Sequence, residues 1–172
     1  FENKKINEVK SFLEKSFAEN NISYGAWLFK AIVDFIVDKN IDEALKSVGR
    51  AEKYSKTTSE WWYSKAFLYF WKEDYKKALK LCQKIKQQSY PTETTTLDEV
   101  REFNLKLLGD VNPKVQLYFW IGYLSYFKQN NLGNALQDFE NFEKFSDSKM
   151  AKLKQKSSEY LRDIKQLMNI KN

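Results

Sequence analysis

The sequence predicts an all-α chain built as an α-α solenoid of antiparallel helix pairs, with a capping helix at each end and one inserted helix. Three observations carry this. Apolar residues recur at helical spacing along most of the length. A stretch of 34 residues recurs within the chain. The composition holds five Gly and two Pro against 42% hydrophobic and 30% charged residues, which suits helices with short connections and excludes a disordered chain. A chain of 172 residues is expected to form one domain or one continuous stack.

Residues 1–20 read as an N-terminal cap helix, with Ile6, Val9, Phe12, Leu13 and Phe17 on one face, broken by Asn20 and Asn21. Ser23 is a cap for the next helix. The first repeat spans 23–57, turning at Lys39 and Asn40 before a second helix over Ile41–Tyr54. The second repeat spans 58–92. Trp62, Ala66 and Tyr69 share one helix face, Lys72, Glu73 and Asp74 form the turn, and Tyr75, Ala78, Leu79, Cys82 and Ile85 share the next face. Asp74 is the expected cap, Ala66 and Ala78 are small enough to let two backbones approach, and Pro91 closes the unit.

An inserted helix is expected within 93–113. Thr96 and Glu99 have the spacing of a capping box, the helix runs over Leu97–Leu108 with Val100, Leu107 and Phe103 or Leu108 inward, and Gly109 stops it. Asn112 and Pro113 start the following helix. The third repeat spans 114–146. Residues 147–172 are the C-terminal cap, part of one helix over 146–172 that turns Met150, Leu153, Ser157, Tyr160, Leu161, Ile164 and Leu167 toward the stack.

The internal repeat is detailed. Ala44 and Ala78 stand 34 residues apart, and Trp27 matches Trp61, Phe29 Tyr63, Val33 Phe67, Phe35 Tyr69, Ile36 Phe70 and Val37 Trp71. Ile41 and Tyr75, Leu45 and Leu79, and Val48 and Cys82 continue the match. Ala135 lies 57 residues after Ala78, aligning Tyr126 with Tyr69 and Phe139 with Cys82, so 23 residues are inserted before the third copy. Tyr118 then takes the place of Trp27 and Trp61, and Trp120 that of Phe29 and Tyr63. Tyr123 replaces the small Ala66, which predicts a wider crossing in the third pair. A helix–turn–helix of this period, with Trp62, Ala66, Tyr69, Tyr75, Ala78 and Pro91, resembles the tetratricopeptide repeat. Lys65 and Cys82 depart from the family's pattern, which has Leu and a bulky aromatic at those places.

The net charge is +6 and the pI about 9.1. The positive charge is nearly all Lys, with Arg only at 50, 101 and 162. Such a balance fits nucleic acid or an anionic membrane, or a Lys- and Asn-rich proteome from an AT-rich genome; scarcity of bidentate Arg weighs against phosphate recognition. The opening Phe1 suggests a processed or trimmed product. Together with the Lys- and Asn-heavy composition it points to a bacterial protein, envelope-associated or periplasmic rather than cytoplasmic, without assigning a compartment. The most hydrophobic stretch, 22–37, is interrupted by Lys30 and Asp34.

There is no His and one Cys, so the commonest general base and the His/Cys zinc site are excluded. Cys82 falls on an apolar helix face and reads as a core residue. No glycine-rich phosphate loop or nucleophile elbow occurs, and the acidic residues read as single or solvated charges, Asp42 with Glu43 and Asp98 with Glu99 as first-turn residues. The expectation is a non-catalytic protein with no cofactor, no metal and no small-molecule substrate.

The expected role is that of an interaction module. In proteins of the family that this chain resembles, the first helices of the pairs line a concave surface that binds peptides. That resemblance makes Phe29, Val33, Tyr63, Phe67, Phe70, Trp71, Trp120 and Leu124 an apolar groove for a partner's helix or extended segment. Phe29 and Val33 stand where the family's carboxylate-binding clamp has Lys and Asn, which argues against a chaperone-tail receptor. The same aromatics at helical spacing also read as core filled by the chain's own helices. A second surface is the basic face of Lys72, Lys76, Lys80 and Lys84, either solvated or docked on nucleic acid or anionic membrane.

Overall fold

The computed structural model describes residues 3–19, 23–54, 60–90, 96–109 and 113–169. Nine α-helices lie among them: α1 Asn3–Ala18, α2 Tyr24–Ile36, α3 Ile41–Tyr54, α4 Glu60–Trp71, α5 Tyr75–Lys86, α6 Leu97–Leu108, α7 Gln116–Phe127, α8 Leu132–Phe145 and α9 Ala151–Leu167. The described residues include no strand. The chain divides into two compact units, Phe1–Leu68 and Tyr69–Asn172. The expected breaks at Asn20, Asn21 and Pro91 and the expected cap at Asn112 lie outside the described residues, as do the side chains of Ile6 and Val9.

Three turns share one construction. In those before α3, α5 and α8, a residue with left-handed φ (Lys39 at 54°, Glu73 at 65°, Asn130 at 52°) precedes the capping residue. Asn40 then accepts from the Glu43 N–H at 3.1 Å, Asp74 from Lys77 at 3.2 Å and Asn131 from Asn134 at 3.0 Å. A left-handed residue with a Cβ costs about 1–2 kcal/mol, and a good cap contributes roughly 1 kcal/mol in return. Ala44, Ala78 and Ala135, each four residues past its cap, are fully buried. The three second helices therefore repeat at the intervals read from the sequence.

The first helices do not keep that register. The turn before α3 has four residues, 37–40, whereas the turn before α5 has three, 72–74. Losing one residue displaces α4 by one position relative to α2. Ala66, not Lys65, is the counterpart of Ala31, and the matches become Trp27 with Trp62, Val33 with Leu68 and Phe35 with Phe70. The burial pattern agrees, since Ala31, Ala66, Val33 and Leu68 are all buried. The turn before α8 again has four residues, 128–131, so α7 follows α2 directly, 91 residues on.

Gly122 is thus the counterpart of Ala31 and Ala66, and the wider crossing expected from Tyr123 does not occur. A Cβ on Gly122 would stand 3.2 Å from Asp138 Cβ and 3.2 Å from Phe139 Cε1, so α7 and α8 pack closely there.

In the first unit, Ala31, Ala44, Val48 and Leu68 form a buried cluster against which Leu28, Phe35, Ile41, Leu45, Trp61 and Phe67 pack. Phe35 and Phe67 meet edge to face at 5.2 Å, a favoured aromatic geometry. Lys65 reaches across to Glu52 on α3. The cap helix α1 is attached through buried Leu13, the Phe17–Trp27 ring pair at 4.5 Å and a Lys10–Asp38 ion pair at 2.7 Å. Phe12, expected inward, is 66% exposed, because the attached face centres on Leu13 and Phe17 instead.

The second unit is organised on α7, whose residues Gln116, Leu117 and every residue from Phe119 to Ser125 are buried. Tyr160 of α9 lies within 6.2 Å of the rings of Phe119, Tyr123, Tyr126, Phe127 and Phe139. Helix α7 begins at Gln116 rather than Pro113, after a tight turn in which Leu117 N–H donates to Lys114 O at 2.8 Å. The expected single helix over 146–172 is broken. Ser146 ends α8 in an extended conformation, Asp147 caps a 3₁₀ turn at Ser148–Met150, and α9 starts only at Ala151. Leu153, Ser157, Leu161 and Ile164 face inward as expected, but Leu167, in the last turn, is 61% exposed.

Helix α6 forms over the expected range with both halves of its capping box, Glu99 N–H to Thr96 Oγ1 at 3.2 Å and Thr96 N–H to Glu99 Oε2 at 2.7 Å. Gly109 ends it with φ −77°, without the left-handed turn usual for a terminal glycine.

Candidate partner-binding surface

Helix α2 is apolar on nearly all sides, and only part of it is consumed by packing. Trp27, Ala31 and Asp34 point inward, so the opposite row is Gly25, Phe29, Ile32 and Ile36. Phe29 is 42% and Ile32 52% exposed, and Ile36 is half-buried. This row carries no charged or hydrogen-bonding side chain. Ser23 starts the helix by accepting from the Ala26 N–H at 3.1 Å. The charges nearest in sequence are engaged elsewhere: Lys30 pairs with Asp34 at 2.6 Å and Asp38 with Lys10.

The eight residues expected to line a groove fall into two classes. Val33, Tyr63, Phe70, Trp120 and Leu124 are buried within their units. Phe29 is exposed, and Phe67 and Trp71 are half-buried, Phe67 against the first unit's core cluster. Val33 lies one position from the exposed row. Ile32 was the missed residue, hidden by an alignment that displaced the first helices by one.

The other two groups of charge differ in character. Helix α5 holds five Lys and no acidic residue, and Lys72, Lys76, Lys80 and Lys84 are all exposed. Two neighbouring lysines are partly satisfied: Lys77 pairs with Asp74 at 2.8 Å, and Lys86 Nζ lies 4.4 Å from the Phe127 ring centre. By contrast, two aspartates are interior, against the expectation of solvated acids. Asp34 accepts from Ser47 Oγ at 2.7 Å as well as from Lys30. Asp138 is held by Arg101, whose second terminal nitrogen donates at 2.9 Å, and the same guanidinium reaches Ser125 Oγ at 3.5 Å. Burial pushes the Asp138 carboxyl above the ordinary carboxylate value, with Arg101 opposing the shift. The two sites are counterparts with the residues exchanged, Asp34 and Ser47 in one pair, Ser125 and Asp138 in the other.

Cys82 is buried in α5, and burial raises its thiol well above the ordinary value. Among the described residues, no group of three or more His, Cys, Asp or Glu is placed to hold a metal ion. No helix among them is long and apolar enough to cross a membrane. No protein family, curated protein or solved structure matches this chain.

Proposed function

We propose that the chain is a non-catalytic scaffold of the tetratricopeptide-repeat kind that holds a partner protein on the apolar row of α2. The observation that supports this is a contrast between the first and third repeats. Phe29 and Ile32 are exposed on an uncharged face, whereas their counterparts Trp120 and Tyr123 are buried. Covering half of a large apolar side chain stabilises by about 1 kcal/mol, so the row rewards any matching surface. The test uses the full chain and its Phe29→Asp/Ile32→Asp variant as paired baits in lysate of the source cells. Proteins retained by the first and lost by the second, with equal helix content in both baits, support the reading. Identical retention by both baits refutes it.

A second reading is favoured by one observation, the absence of acid from α5 beside its exposed lysines. That reading has the helix dock on an anionic surface, worth about 1 kcal/mol per lysine near an acidic bilayer and weakened by salt. Binding of the full chain to anionic but not neutral vesicles, lost in Lys76→Glu/Lys80→Glu, supports it; no binding at low salt removes it.

A further inference from the structure

The open row on α2 has a counterpart in the same chain that is already covered. Gly25, Phe29, Ile32 and Ile36 precede Gln116, Trp120, Tyr123 and Phe127 of α7 by 91 residues each. All four α7 residues meet the helix pair before them. Gln116 Nε2 donates to Phe70 O at 3.0 Å, and the Trp120 and Phe70 rings lie 5.6 Å apart. The Tyr123 hydroxyl donates to Cys82 O at 2.6 Å, and Lys86 lies over Phe127. The end of α4 and the last turns of α5 therefore meet this row. Phe67, which corresponds to Ile32 and Tyr123, packs against a cluster containing Ala44 and Val48 of α3, again the second helix of the preceding pair.

We infer that the α2 row is the docking face for a helix–turn–helix segment of a partner protein, whose second helix meets Phe29, Ile32 and Ile36 as α5 meets α7. This rests on the reading of the chain as a protein-holding scaffold. The chemistry of the partner follows from what α2 lacks. Where α7 offers the Gln116 amide and the Tyr123 hydroxyl, α2 has Gly25 and Ile32, so no polar group is available to satisfy a buried partner. The docking helix must present a small and apolar row, of the kind formed in α5 by buried Ala78, Cys82 and Ile85, with its charges confined to the flanks. An extended strand is disfavoured, because its main-chain donors and acceptors would meet side chains that cannot bond to them.

The test reads the accessibility of position 32. In the full chain carrying Ile32→Cys, the other thiol, Cys82, is buried, so maleimide labelling reports position 32. The probe is a peptide of residues 59–90, this chain's own second helix pair, carrying Cys82→Ala so that it brings no thiol of its own. At saturating probe the labelling rate is expected to fall about 10-fold, as protection of a docked site requires. Lys76→Cys, on the exposed face of α5, should label at an unchanged rate. To guard against a peptide that does not fold alone, the same segment is joined ahead of residue 1 by a flexible linker, which raises its effective concentration to about millimolar. Unchanged labelling in both formats overturns the inference. So does protection that appears without probe as chain concentration rises, which would make a second copy the occupant. If the Phe29→Asp/Ile32→Asp bait loses its partners while no helical probe protects position 32, the scaffold reading stands and the helix-pair inference falls.

Discussion

Gly122→Ala tests a close contact between α7 and α8. The new Cβ would lie 3.2 Å from both Asp138 Cβ and Phe139 Cε1, and 3.3 Å from Phe139 Cδ1. Carbon atoms pack best at about 3.5–4.0 Å, so one of these neighbours has to move by a few tenths of an ångström. Neither is free to do so. Asp138 is fixed by Arg101, and the Phe139 ring sits 5.6 Å from Phe119 and 5.5 Å from Tyr160. Overpacking of this sort costs about 1–3 kcal/mol, while Ala in place of Gly in a helix gains about 1 kcal/mol. Gly49→Ala on α3 isolates the gain, since a Cβ there meets nothing within 4 Å. Urea unfolding of both variants at constant slope should place Gly49→Ala above the parent and Gly122→Ala below Gly49→Ala by about 1–3 kcal/mol. Equal stabilisation by the two substitutions would mean that α7 and α8 do not cross at Gly122.

Two more predictions concern charge. Arg101→Met leaves the Asp138 carboxylate buried without its partner and should cost about 3–5 kcal/mol in urea unfolding, with Arg101→Met/Asp138→Leu recovering most of it; a loss under about 1 kcal/mol would show the pair to be incidental. Hydrogen bonds from the Lys77 side chain and backbone hold the Asp74 carboxyl below its ordinary value of 3.8. A lowered carboxylate contributes stability above its unfolded value and loses it as pH falls through the folded one. Asp74→Asn keeps a cap without the titration, so its melting temperature should fall less than the parent's between pH 5 and pH 3 (about the window of a carboxylate); parallel curves would contradict this.

Much of the fold was legible because its signals are local. Helix α3 is bounded by an Asn cap and opens with Asp42 and Glu43, and α6 announces itself through Thr96 and Glu99. What escaped was long-range or one residue wide. A single position lost from the turn at 72–74 moved every match in α4, which concealed Gly122 and Ile32 together. Arg101 and Asp138 are 37 residues apart, and nothing local in either helix indicates that they meet. The break at Ser146 follows from Asp147 capping the 3₁₀ turn, a short polar device inside a longer helical pattern. The candidate groove was half legible: apolar periodicity identifies α2, α4 and α7 as hydrophobic helices, but cannot say which row a neighbour covers. Phe67, for instance, belongs to a core cluster, so its removal tests packing before it tests binding.

The most direct measurement compares counterparts, Ile32→Ala with Tyr123→Ala and Phe29→Ala with Trp120→Ala, by urea unfolding of the full chain. An open row on α2 and a covered row on α7 predict losses of at most about 1 kcal/mol for the first member of each pair and about 3–5 kcal/mol for the second. Comparable losses within a pair would place Phe29 and Ile32 in the protein's own core and leave no face for a partner to hold.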